Sequence, residues 1–264
     1  MPYLYETHLH TCQGSLCGVS TGREHARYYK EIGYQGIIVT DHFFHGNCAV
    51  PRKLPWKERI ELFCSGYEDA LAEGQKIGLD VFFGWEQNYD LDEYLVYGLD
   101  KKWLLDHPEY EHCTRQEQLE AVHRGGGCVI QAHPFRDRGY IPRILLGKRF
   151  CDGIEVANAG QKPVNDYPAL RYARENDLVM IAGSDNHHSC VEKTPPEKLF
   201  GIALDEKLDS IHDLVRLIRN RGKIGVHVPQ DRFSIGSEDT LEREVFWLDE
   251  NENAVLSTRD WLRG

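Results

Sequence analysis

The chain has no C-x-x-C pair, no apolar run long enough to span a bilayer, and no basic-then-apolar N-terminal stretch of the kind that directs secretion. Its eight cysteines, Cys12, Cys17, Cys48, Cys64, Cys113, Cys128, Cys151 and Cys190, are therefore expected as free thiols of a cytoplasmic protein. Positive charge is also in short supply: 31 basic residues face 42 acidic ones, for a formal charge of −11. That deficit argues against electrostatic binding to long nucleic acid or to an anionic membrane. It leaves room for a small basic pocket and for carboxylates that hold cations. Neither a G-x-S-x-G elbow nor a Walker A sequence is present, so no side-chain nucleophile and no phosphate-cradling loop present themselves. Internal repeats, low-complexity segments and domain linkers are missing as well.

What is present is histidine, 13 in all, with several at the ends of predicted strands. The patterning predicts strands at Tyr3–Thr7, Gly36–Thr40, Asp80–Gly84, Tyr94–Leu99, Cys128–Ala132, Gly153–Ala157 and Leu178–Ala182. Between them lie helical patterns. One starts at the Thr21-Gly-Arg-Glu24 capping box and ends at Gly33; one spans Ile60 to Gly78; one starts at the Thr114-Arg-Gln-Glu117 capping box; others run over Tyr167–Asn176 and around Ile211–Ile218. Strands alternating with helices imply a parallel sheet with right-handed crossovers, and 264 residues suit one α/β barrel-type domain. The tail from about Val228 is polar, with a hairpin predicted over Val245–Leu256 that turns at Asp249–Asn253.

Candidate ligands cluster at the C-terminal ends of these strands. His8 and His10 alternate at the end of the first strand, so both face one side. Asp185 and His187 repeat that spacing after Ala182. Asp41 and His42 follow Thr40, Glu86 follows Gly84-Trp85, and His133 follows Ala132. In parallel α/β barrels the active site forms at that end from several strands. Mixed imidazole and carboxylate ligands suit Zn, Mn or Fe, and they outnumber the needs of one structural zinc. Two such ions can hold a hydroxide and stabilise the oxygens of an in-line phosphoryl displacement.

The segments His8-x-His10, Thr40-Asp41-His42, Glu86, Ala132-His133-Pro134 and Ser184-Asp185-Asn186-His187, in this order, resemble the polymerase and histidinol phosphatase (PHP) family over residues 3 to about 190. The resemblance implies a distorted, TIM-like (β/α)7 barrel spanning 1–264 as one domain, with 228–264 as a C-terminal extension. It also implies metal-dependent phosphoester hydrolysis with up to three ions. His8, His10, Glu86 and Asp185 would serve one ion. Glu86 would bridge to a second ion with His133, and His42 and His187 would serve a third. Two departures from the family pattern stand out. Where an Asp or His ligand follows H-x-H in the family, this chain offers Ser15 or Cys17. Where the strand after the glutamate carries a histidine, Tyr94-Leu-Val-Tyr-Gly98 has none. The resemblance, less these two ligands, implies two or three divalent ions (Mn, Fe or Zn).

The expected activity is hydrolysis of a small phosphomonoester by a metal-bridging hydroxide, with nucleotide or short-oligonucleotide diester cleavage as the alternative. Asp41 and His188 are the candidates for proton transfer to the leaving group, Asp41 also for orienting ligands. Arg136 and Arg138 are the candidates for binding phosphate oxygens. A non-catalytic metal-binding regulatory domain is the alternative of another class. C–N bond hydrolysis is disfavoured because no lysine at a strand end is available for carbamylation.

Overall fold

The computed structural model describes residues 2–190 and 193–263. In chain order the elements are β1 (Tyr3–Leu9), α1 (Gly22–Glu31), β2 (Gly36–Val39), α2 (Trp56–Phe63), α3 (Ser65–Ile77), β3 (Asp80–Asn88), β4 (Glu93–Tyr97), α4 (Lys101–Asp106) and α5 (Arg115–Arg124). They continue with β5 (Cys128–Ala132), β6 (Arg143–Leu146), β7 (Gly153–Asn158), α6 (Pro163–Glu175), β8 (Val179–Gly183), β9 (Gly201–Leu204), α7 (Ile211–Arg219), β10 (Gly225–His227), β11 (Glu244–Leu248) and β12 (Ala254–Leu256).

Seven strands, in the order β1-β2-β3-β4-β5-β7-β8, form a barrel-like sheet, and β9 and β10 extend it outward from β1. The ring closes at its C-terminal end. There Leu9 bridges Asn186 in parallel, and the Asn186 carbonyl accepts from the His10 N–H at 2.9 Å. The architecture is thus a distorted TIM-like barrel. It departs from the expected parallel sheet at β4, which runs antiparallel to both β3 and β5. The reason is the length of the connection. β3 continues to Asn88, so only residues 89–92 link it to β4. A parallel crossover takes about a dozen residues or more, so this link has to be a hairpin.

Helix α1 starts as the sequence predicts. The Thr21 hydroxyl accepts from the Glu24 N–H, and the Glu24 carboxylate accepts from the Thr21 N–H at 2.7 Å. Replacing Thr21 by alanine is expected to lower stability by about 1 kcal/mol. A urea titration checks it; an unchanged midpoint would mean that packing alone sets the start of α1. The predicted helix over Ile60–Gly78 is broken at Cys64 into α2 and α3, and Gly78 ends α3 in a left-handed cap with φ 71°. At the other end of the chain β11 pairs antiparallel with β12 and parallel with β6. Trp261 then buries its indole among Phe135, Tyr172 and Trp247. Among the described residues, no helix is long and apolar enough to cross a membrane.

Candidate metal centre

Period-two geometry brings the first ligand pair together. His8 and His10 project from the same face at the end of β1, with their Nε2 atoms 3.1 Å apart. Asp185 Oδ1 lies 3.1 Å from His10 Nε2 and 3.7 Å from His8 Nε2. On β3, Glu86 reaches in two directions. Its Oε1 lies 3.1 Å from His133 Nε2 and 3.4 Å from His8 Nε2, and its Oε2 lies 2.6 Å from His42 Nδ1. The His42 ring stacks on that of His10 with centroids 4.3 Å apart, and the His187 ring stacks on His10 at 4.8 Å. All seven expected metal ligands thus converge in one cluster.

Two of them stand on strained backbone. His133 has φ 24° and Asp185 has φ 53°, in the left-handed region that non-glycine residues seldom occupy. Local propensity does not select these conformations; the packing around the site imposes them.

The cluster also contains a residue that sequence patterning missed. Glu93, the first residue of β4, pairs across the hairpin with Asn88. Asn88 is two residues beyond Glu86 on β3, so Glu93 shares the face of Glu86. Its Oε2 lies 3.4 Å from His133 Nε2 and 2.6 Å from Arg136 Nη1. Glu93 directly precedes Tyr94–Gly98, the stretch that carries no histidine. The short loop of residues 89–92 was the signal that would have revealed it.

The donor set fits divalent ions. His10, His42 and His187; His8, Glu86 and His133; His8, His10 and Asp185; and His42, Glu86 and Glu93 each bring ligand atoms within 4.8 Å of one another. His42 Nδ1 and Glu86 Oε2 are buried, and neither has a well-aligned hydrogen-bond partner, although they lie 2.6 Å apart. Lone pairs that converge on shared space without bonding to each other suit coordination of a cation. The charge balance agrees. Burial by itself would raise the Glu86 and Asp185 carboxyls, yet the surrounding imidazoles hold both well below the usual carboxylate range. Burial would likewise lower His8, but Glu155, Asp185 and Glu86 raise it well above the ordinary imidazole value.

A supporting layer orients the ligands. Glu155 accepts from His8 Nδ1 at 3.0 Å and from the His133 N–H at 2.9 Å. Asp41 is buried and accepts from the Thr11 N–H, the Thr11 hydroxyl and the Ser15 hydroxyl, each at 2.7 Å. Burial pushes its carboxyl up to about 6. Ser15 Oγ lies 3.3 Å from His10 Nδ1, so Asp41 reaches the cluster through Ser15. Arg136 stands beside the cluster through its pairing with Glu93. Arg138 points elsewhere and donates to the Gly160 carbonyl at 2.8 Å. His188 is half-buried, and its N–H donates to Asn186 Oδ1 at 3.0 Å.

His25 of α1 braces the same loop from below. One ring N–H donates to the His10 carbonyl at 3.1 Å, while Nδ1 is buried without a partner. Protonation would put a second N–H where nothing accepts it, and burial lowers this imidazole from 6.5 to about 4. Above 6.5 both folded and unfolded chains are neutral here, so stability is complete. Between 6.5 and about 4 only the unfolded chain takes up the proton, so stability falls with pH. In His25→Gln, urea midpoints are expected to fall less across that window than in the wild type; equal slopes would remove His25 from the account.

No family model matches the chain. A 5′-3′ exoribonuclease of Haemophilus influenzae is 32% identical over 77 residues, 27% of this chain and 28% of that protein. The chain thus spans little more than a quarter of that relative's length. Among solved structures, a two-domain protein of Bacteroides vulgatus containing a predicted PHP-like metal-dependent phosphoesterase aligns over 86% of this chain and 65% of its own, with TM-score 0.61 and 15% identity. The lesion-specific endonuclease PfuEndoQ of Pyrococcus furiosus aligns over 86% of this chain and 58% of its own, with TM-score 0.53 and 12% identity. Strand order, ring closure and these likenesses agree that the chain has the fold of the PHP-like metal-dependent phosphoesterases.

Proposed function

We propose that this chain is a metal-dependent phosphoesterase that cleaves the P–O bond of a small phosphomonoester. The observation that carries the reading is the buried convergence of imidazole and carboxylate lone pairs, two of them without aligned partners, at the C-terminal end of a barrel. His8, His10 and Asp185 would hold one ion, His133 and Glu93 a second, and His42 and His187 a third, with Glu86 shared between ions. When bound, such ions supply Lewis-acid polarisation of phosphoryl oxygens and an activated water at neutral pH.

The chain's own residues set the rest. Glu155 fixes the ring of His8 and the backbone of His133, and Asp41 acts through Ser15 on His10. Arg136, beside Glu93, is assigned to the phosphate oxygens, whereas Arg138, turned to the Gly160 carbonyl, is not. His188 is the candidate donor of a proton to the leaving alcohol. The acidic balance of the chain favours a small substrate over a long polyanion.

A second reading, cleavage of a nucleotide or short-oligonucleotide phosphodiester, is favoured by the likeness to the exoribonuclease over 77 residues. The test compares p-nitrophenyl phosphate, bis(p-nitrophenyl) phosphate and a short oligoribonucleotide, with Mn²⁺ supplied, for wild type and His8→Ala. Monoester turnover that disappears in His8→Ala is the expected result. Turnover of the diester or oligonucleotide alone would replace the first reading by the second. No turnover with metal bound would leave a non-catalytic metal-binding domain.

A further inference from the structure

The polar tail from Val228 does more than cover the barrel. It is fixed to the wall, because β11 pairs with β6 and Trp261 is buried. From it, charged side chains reach partners that lie directly behind residues of the metal centre. Arg232 goes deepest, with its side chain 11% exposed and its guanidinium 4.8 Å from the centre of the Phe200 ring. Its Nε donates to Asp166 Oδ2 at 2.6 Å, and its Nη2 donates to the carbonyls of Asn158 and Gln161 at 2.8 and 2.7 Å. Asp166 also accepts from the Asn158 N–H at 3.1 Å. One guanidinium therefore holds both ends of the turn over residues 158–161, at the C-terminal end of β7.

That turn carries the restraint inward. Asn158 Nδ2 donates at 3.0 Å to Glu155 Oε2, the oxygen that also takes the His133 N–H, and the other Glu155 oxygen takes His8 Nδ1. On its other side, Gly160 lies against Asp185: a Cβ there would sit 3.5 Å from Asp185 Oδ2. His8, His133 and Asp185 are thus backed by a turn that Arg232 holds. At the β3–β4 hairpin the tail acts again. Glu252 Oε2 accepts from Arg115 Nη1 at 2.9 Å, and Arg115 forks onto both oxygens of Asp92, the residue before Glu93. Arg243 Nε lies 3.1 Å from Asp137 Oδ1, and Asp137 adjoins Arg136 in the chain.

We propose that the tail is a working part of the metal centre, and that Arg232 is a positioning residue for the ligands His8, His133 and Asp185. The inference rests on the metal-centre reading above and deepens it by naming what holds the ligands in place. A buried ion pair is often matched in stability by apolar side chains of the same volume, so stability alone does not account for an arginine at this place. Its directional bonds do. A planar guanidinium spans one carboxylate and two carbonyls at once, whereas a lysine ammonium is a single point charge on a flexible stem. Arg259, another arginine of the tail, pairs with Glu175 at the opposite end of α6 from Asp166 and serves as the control.

The test measures zinc affinity of the full chain by competition with a chromophoric chelator, next to the urea midpoint of the metal-free protein, so turnover is not needed. The double variant Arg232→Met with Asp166→Asn removes the ion pair without stranding a buried charge. It is expected to keep its urea midpoint near that of the wild type while zinc affinity falls about tenfold, the low end of the loss seen when a ligand's supporting partner is removed. Arg232→Lys keeps the charge opposite Asp166 but not the fork, so it is expected to keep the midpoint and still lose zinc affinity. Should the double variant fail to fold, Arg232→Lys carries the test by the same readout. Arg259→Met is expected to bind zinc as the wild type does. Unchanged zinc affinity in the Arg232 variants would overturn the proposal and leave the metal-centre reading standing. So would an equal loss in Arg259→Met, which would mean general loosening of the tail. Wild type that binds no zinc would overturn the metal-centre reading, and the role of Arg232 with it.

Discussion

Glu86→Gln is expected to reduce phosphoester turnover by at least about 10³-fold, beyond the ~10²–10³ lost with a single transition-state donor. No other side chain in the cluster is used in so many directions. One carboxylate oxygen faces His133 and His8, and the other faces His42. The amide is the same size but replaces one anionic oxygen by an NH₂ group, which is a donor and does not ligate. At least one ion position therefore loses an anchor, whichever way the amide turns. The barrel should survive, since the substitution also removes a buried negative charge. The measurement is turnover of the best ester substrate with bound metal counted in the same sample. A near-normal rate in Glu86→Gln with an unchanged metal count would sink the shared-carboxylate account.

Removing Glu155 is the second large effect. This side chain touches no candidate ion position, yet it fixes two ligands: the His8 ring through Nδ1 and the His133 backbone through its N–H. It also accepts from Asn158 Nδ2 at 3.0 Å, and all of these atoms are buried. In Glu155→Ala the donors are stranded in the core, with an expected loss of about 3–5 kcal/mol. Freed of its partner, the His8 ring turns, and metal affinity is expected to fall by about 10–100-fold. Urea titrations with and without zinc separate the two consequences, because the second widens the difference between the curves. Glu155→Gln, which keeps one acceptor, should recover part of both. If Glu155→Ala weakened the fold but left zinc affinity unchanged, Glu155 would be a core residue and nothing more.

Which parts of this were legible in the chain follows from the range over which each cause acts. The capping boxes at Thr21 and Thr114 act within one helical turn, and both form. The strand Cys128–Ala132 was readable to the residue because its apolar run is bounded on both sides by chain that cannot continue it. His8 and His10 share a face because strand geometry repeats every two residues, whatever lies around them. By contrast, the apolar pattern ends the strand at Gly84, because Trp85-Glu86-Gln87-Asn88 does not continue it, whereas β3 runs to Asn88. Those residues pair with β4, and the pairing is a long-range fact. With β3 ending at Gly84 the hairpin is invisible, alternation alone makes β4 parallel, and nothing in the local pattern points to Glu93.

The sequence by itself determined the residue types of the centre, their order along the chain and the alternation of strands and helices that carries them to one end of a barrel. Those follow from local periodicity and from the chemistry of imidazole and carboxylate. Only the tertiary structure decided which atoms meet: Glu86 turned between His133 and His42, Glu93 added across a hairpin, and Asp41 turned toward Ser15. Each of these is a contact between segments far apart in the chain, or the outcome of a register that a one-residue shift would reverse. The left-handed backbone at His133 and Asp185 belongs with them, since local preference opposes it and only the closed barrel holds it.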